Sequence, residues 1–66
     1  MRVLGIDPGT AIVGFGVIDY ENNKFKVIDY GCLYTDKDTP MEERLCQIYE
    51  KLSELIKKYN PEHMAI

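Results

Sequence analysis

Two adjacent asparagines, Asn22-Asn23, stand between a run from Ile12 to Tyr20 and a run from Phe25 to Tyr34, and this turn constrains the fold more than any other feature. Asparagine tolerates positive φ, so the pair can form the two-residue turn of a β-hairpin. A turn at that point sets the register. Glu21 then faces Lys24 and Asp19 faces Lys26 as opposite-charge pairs, with Val17 facing Ile28 and Phe15 facing Tyr30 on the same side. The other face pairs Tyr20 with Phe25 and Ile18 with Val27. A one-residue slip would break both charge pairs and reverse the faces together.

Ahead of the hairpin, Val3-Leu4-Gly5-Ile6 is a short branched-rich run stopped by Pro8-Gly9, the pattern of a strand buried on both faces. Beyond it, Asp36 to Thr39 is a polar link, and Thr39-Pro40-Met41-Glu42 predicts a capping box with proline at the first helical position. Met41, Leu45, Ile48, Tyr49, Leu52, Leu55, Ile56 and Tyr59 then recur at three- and four-residue steps, forming an apolar stripe that must cover a sheet. Lys57 and Lys58 suit the negative end of that helix, and Asn60-Pro61 stops it. His63-Met64-Ala65-Ile66 begins a fourth strand. Three strands on short turns make an antiparallel meander, and a right-handed helical crossover lays the fourth strand parallel to the first. This α/β order is the first half of a ribonuclease H-like topology.

A chain of 66 residues allows one small domain at most, and a domain of this size buries only about 60% of its unfolded surface. Its 45% hydrophobic and 29% charged content suits a globular protein and suggests neither disorder nor a membrane span. The opening residues Met1 to Ile6 are too short an apolar stretch for a signal peptide, so a cytoplasmic location is expected. Cys32 and Cys46 have neither the spacing nor the companions of a zinc site or a disulfide framework, and are expected as buried reduced thiols. A net charge of −3 offers no basic patch for phosphate, so a case for nucleic-acid binding must rest on site chemistry.

That chemistry centres on Asp7. It ends the first strand immediately before a Pro-Gly break, which places its carboxylate at the carboxyl edge of a parallel-containing sheet, where such folds bind ligands. A lone aspartate there can also simply hydrogen-bond the following turn. Gly9 permits a sharp turn and close backbone approach, while Gly14 and Gly16 remove side chains from the neighbouring strand near the level of Asp7. A bulky polyanion could approach there. Gly16 could equally accommodate sheet twist or a covering side chain, while Gly14 favours the approach. The acidic group Asp36, Asp38, Glu42 and Glu43 is spaced for a solvated loop and helix start, and His63 for a surface position.

Val3-Leu4-Gly5-Ile6-Asp7-Pro8-Gly9-Thr10 followed by Gly14-Phe15-Gly16-Val17-Ile18 resembles the opening of the RuvC family of Holliday junction resolvases. Tyr30-Gly31-Cys32-Leu33 resembles the family's third strand, Arg44-Leu45 through Ile56 its first helix, and Pro61 through Ile66 its fourth strand. The resemblance implies that residues 1–66 are the N-terminal part of a single nuclease domain. It implies that Asp7 is catalytic, the first of four carboxylates that bind a pair of Mg2+ ions, with Mn2+ able to substitute, for phosphodiester hydrolysis. Gly9, Thr10 and Gly14 become candidates for the approach of the DNA backbone. A catalytic glutamate is expected just past Ile66, and two more acidic residues near the family's C-terminus. The implied partners are four-way junction DNA, a second copy in a homodimer, and a branch-migration motor complex. One carboxylate is a poor Mg2+ site, so the 66-residue chain alone is expected to be inactive.

Three other readings remain. Actin, heat-shock-chaperone and sugar-kinase ATPases share the sheet order and place an Asp-x-Gly-Thr turn beneath nucleotide phosphates, which would give Thr10 the leading role. The YqgF-type nuclease of ribosomal RNA processing looks similar but typically has phenylalanine where Pro8 stands. A binding or structural module would use Asp7 only to cap a turn. Whichever holds, one helix covers one sheet face, so the opposite face is expected to be apolar and exposed or covered by another copy or further chain.

Overall fold

The computed structural model describes residues 1–9 and 11–66. The elements run β1 (Arg2–Asp7), β2 (Ile12–Glu21), β3 (Lys24–Tyr34), α1 (Met41–Tyr59) and β4 (His63–Ala65). They form one sheet in the order β3-β2-β1-β4, with β1 antiparallel to β2 and parallel to β4. The expected meander and crossover are therefore present. No helix among the described residues is long and apolar enough to cross a membrane.

Asn22 and Asn23 take φ of 51° and 62°, the two left-handed residues of a type I′ turn, whose twist matches that of the strands it joins. Near the turn the pairs are those expected: Glu21 with Lys24, Tyr20 with Phe25, Asp19 with Lys26 and Ile18 with Val27. Beyond them the expected register fails. A β-bulge between Val17 and Ile18 leaves Ile28 as the extra residue, so Val17 pairs with Asp29 and Phe15 with Gly31, while Tyr30 lies opposite Gly16. The bulge turns Asp29 towards α1, where its carboxylate accepts a 2.5 Å hydrogen bond from the Tyr59 hydroxyl.

α1 begins one residue later than the capping box predicts, and no side chain caps it. Pro40 is extended, at φ −53° and ψ 145°, and its carbonyl accepts from the backbone N–H groups of Glu43 and Arg44. The preceding turn engages Thr39 instead: its N–H donates to the Asp36 carbonyl, and the N–H of Asp38 donates to the Asp36 side chain. At the other end Asn60 is left-handed and its N–H returns to the Ile56 carbonyl, closing the helix as expected.

The core is small. Leu4, Val13 and Val17 are buried beneath α1. The helix meets the sheet along Arg44, Ile48, Leu52, Leu55 and Tyr59, so the predicted stripe is only half used: Met41, Leu45, Tyr49 and Ile56 stay exposed. β1 is covered on one face and not on both, because a single helix can shield only one side. Both cysteines are free, as expected, but exposed: Cys32 lies on the uncovered sheet face and Cys46 on the outer side of α1.

Candidate metal centre

Side chains alternate across a strand, so burial of Leu4 beneath α1 sends Val3, Gly5 and Asp7 to the opposite, uncovered face. The ladder then decides their neighbours. Gly14 lies directly opposite Asp7 and Gly16 opposite Gly5, while on the far side of β2 Cys32 pairs with Gly14 and Tyr30 with Gly16. Across β1, Ala65 pairs with Gly5. The outcome is an open basin of ≈ 740 Å³ with a floor of Gly5, Gly14 and Gly16, a wall of Tyr30, Cys32 and Tyr34, and Asp7 at its edge. The neighbouring Cys32 thiol pushes the Tyr34 phenol above its ordinary range.

Asp7 is exposed, and no hydrogen bond or ion pair holds its carboxylate among the described residues. No described residue of the turn is capped by it. A Cβ on Gly14 would stand 3.5 Å from the Asp7 Cβ, in ordinary contact, so any longer side chain would rise beside the carboxylate. A Cβ on Gly16 would meet nothing within 4 Å. Gly9 differs from both. No described glycine has positive φ; a Cβ on Gly9 would press into the Ile12 carbonyl oxygen, so the turn requires glycine for space. Thr10 lies outside the described residues.

A free, exposed carboxylate beside open volume fits a hard divalent cation as one oxygen ligand. It does not complete a site: no three His, Cys, Asp or Glu side chains come together among the described residues. The acidic residues Asp36, Asp38, Glu42 and Glu43 form no such group, and His63 is exposed. One residue near this end of the sheet escaped the sequence reading. Arg44, 9% exposed, is the only buried charged residue among the described residues, and its guanidinium Nε donates to the Thr35 hydroxyl at 3.0 Å. Its signal was its place four residues before Ile48, at the head of the row that meets the sheet.

The sequence model of the family described as "Crossover junction endodeoxyribonuclease RuvC" matches residues 3–66. The chain is 58% identical over 66 residues to the crossover junction endodeoxyribonuclease RuvC of Fusobacterium nucleatum, covering all of the chain and 35% of that relative. It is 53% identical over 66 residues to the RuvC of Alkaliphilus metalliredigens, again covering all of the chain and 40% of the relative. Among solved structures it is similar to "T. thermophilus RuvC in complex with Holliday junction substrate", with a TM-score of 0.90 and 31% identity over 97% of this chain and 41% of that one. The chain therefore spans 35% to 40% of the length of these curated relatives.

Proposed function

The chain belongs to the RuvC family, and from that premise we propose that it supplies the first metal-binding carboxylate of an endonuclease that resolves four-way DNA junctions by phosphodiester hydrolysis. The observation that carries this reading is Asp7 itself: exposed, with no bond to any described residue, and at the edge of a glycine-floored basin. Its carboxylate would hold a divalent cation, Mg2+ or in its place Mn2+, in a two-ion site. Such ions, when bound, activate water and stabilise the leaving oxygen. The residues of this chain do the rest of what is assigned here. Gly14 and Gly16 keep the face beside Asp7 low enough for a sugar-phosphate backbone, and Gly9 shapes the turn that follows; Thr10, outside the described residues, is a candidate for the approach of that backbone. β4 prepares the second ligand. It runs parallel to β1 with Val3 opposite His63 and Gly5 opposite Ala65, so one further ladder step sets the residue after Ile66 beside Asp7 on the same face. A carboxylate there would share the cation.

Paired cuts across a junction need two such sites, which a twofold dimer provides. The homodimer, a branch-migration motor complex as partner, and a cytoplasmic location are parts of the same proposal. The test uses the full-length protein on a synthetic four-way junction with Mg2+. The wild type should give paired nicks, and Asp7→Asn should cut more than about 100-fold slower, beyond the usual cost of losing an outer-shell partner, while still binding the junction. The 66-residue chain alone should cut nothing. An Asp7→Asn protein that cuts at the wild-type rate would remove Asp7 from the site.

A further inference from the structure

We propose that Arg44 is a positioning residue for the turn that carries Asp7, acting through Thr35 and Ala11. Burying a guanidinium is costly unless its hydrogen bonds are met, and Arg44 is the one charged side chain buried among the described residues. Its Nε donates to the Thr35 hydroxyl at 3.0 Å, and the Thr35 N–H donates in turn to the Ala11 carbonyl at 3.0 Å. Ala11 is the last residue before β2, and Asp7 the last residue of β1. The relay therefore runs from the first turn of α1, across the end of β3, to the far side of the Asp7 turn.

Pro8, Gly9 and Ala11 are exposed, and Pro8 has no N–H to give. The Thr35–Ala11 bond is the outermost rung of the β2–β3 ladder, one step beyond Ile12 opposite Tyr34, and such terminal rungs open most easily. Arg44 holds that rung from a helix whose first turn has no side-chain cap. Closing it fixes the start of β2, and with it Gly14 opposite Asp7. The alternative is that the Arg44 stem merely packs between helix and sheet.

The inference rests on the metal-site reading of Asp7, and its test separates the two. In the full-length protein, Arg44→Met keeps the stem and removes the guanidinium, Thr35→Val keeps the volume and removes the hydroxyl, and Thr35→Ser restores it. Two quantities are read: amide hydrogen exchange over residues 8–13, and the Mg2+ concentration for half-maximal junction cleavage. Arg44→Met and Thr35→Val should both speed the exchange and raise the Mg2+ midpoint about tenfold, the low end of outer-shell effects. Junction affinity measured in Ca2+ should stay unchanged, and Thr35→Ser should behave as the wild type. If Thr35→Val changes neither quantity, the relay is overturned, even where Arg44→Met lowers overall stability. If the wild type cuts no junction, the nuclease reading fails and exchange alone decides the relay: faster in both variants upholds it, unchanged overturns it.

Discussion

On the sheet face that α1 covers, Leu4, Val13 and Val17 are 1%, 3% and 0% exposed; on the opposite face Phe25, Val27, Tyr30 and Tyr34 are 71%, 62%, 77% and 66% exposed. The side-chain ties between residues far apart in the chain divide in the same way. Arg2 forks onto Asp19 at 2.8 and 2.9 Å and reaches the Tyr59 carbonyl at 3.1 Å, Asp29 takes the Tyr59 hydroxyl, and Arg44 takes Thr35. All of these lie on the covered face or at its edge. Asp7, on the open face, has no such tie among the described residues. The packed core and the open carboxylate are thus separated by the thickness of a single sheet. The alternation of side chains along β1 does the separating, since Leu4 and Asp7 lie three residues apart and face opposite ways.

The largest test of that division sets Leu4→Ala against Asp7→Asn. Removing a fully buried leucine side chain leaves a cavity and should cost roughly 2–5 kcal/mol, a large share of the total for so small a core. Asp7→Asn should change stability by less than about 0.5 kcal/mol, as surface substitutions do. Urea unfolding midpoints measure both, and equal losses would mean that Asp7 is a structural residue. A second pair sharpens the contrast. A Cβ on Gly31 would meet the Phe15 ring at 3.2 and 3.3 Å, whereas one on Gly16 would meet nothing within 4 Å. Gly31→Ala should therefore cost about 1–3 kcal/mol by overpacking. Gly16→Ala should stay within about 0.5 kcal/mol of neutral. A destabilising Gly16→Ala would show that the basin floor is already occupied by packing.

What could be read ahead of the structure follows the range of the forces involved. Asn22-Asn23, the Glu21–Lys24 and Asp19–Lys26 pairs, and the Asn60 helix stop are decided within a few residues, and all stand where the sequence puts them. The bulge at Ile28 is decided by Tyr59, thirty residues from Asp29 in the chain. Without that hydroxyl a regular register would leave Asp29 on the open face. The capping box failed for a nearer reason, because the Asp36 turn engages Thr39 and leaves Pro40 to start the helix. For the candidate site, the exposed place of Asp7 at the edge of the sheet was legible, because β1 stops at the Pro-Gly break that follows it. Arg44 was harder to read: its place four residues before Ile48 puts it on the inner row, but an arginine at the head of an amphipathic helix reads as readily as the edge of the solvated face.

The smallest effect concerns acid. The Arg2 guanidinium, hydrogen-bonded to Asp19, holds that carboxyl below its ordinary value, and the Tyr59 hydroxyl does the same for Asp29. Burial opposes both shifts without reversing them. A carboxyl lowered in the folded state contributes stability that is fully present above its unfolded pKa, about 3.9 for aspartate, and lost as pH falls through the lowered folded value. Arg2 is raised by the same pair, but it stays charged throughout that window and adds no slope there. Melting temperature should accordingly hold steady from neutral pH to about pH 5 and fall below about pH 4. Because both groups are accessible to water, the drop should be modest. Asp19→Asn and Tyr59→Phe should each lower the neutral-pH melting temperature and flatten the acid limb, since each removes one of the two interactions. An acid limb left as steep in the double variant would place the pH dependence in other carboxylates, and the two faces would then not differ in their response to protons.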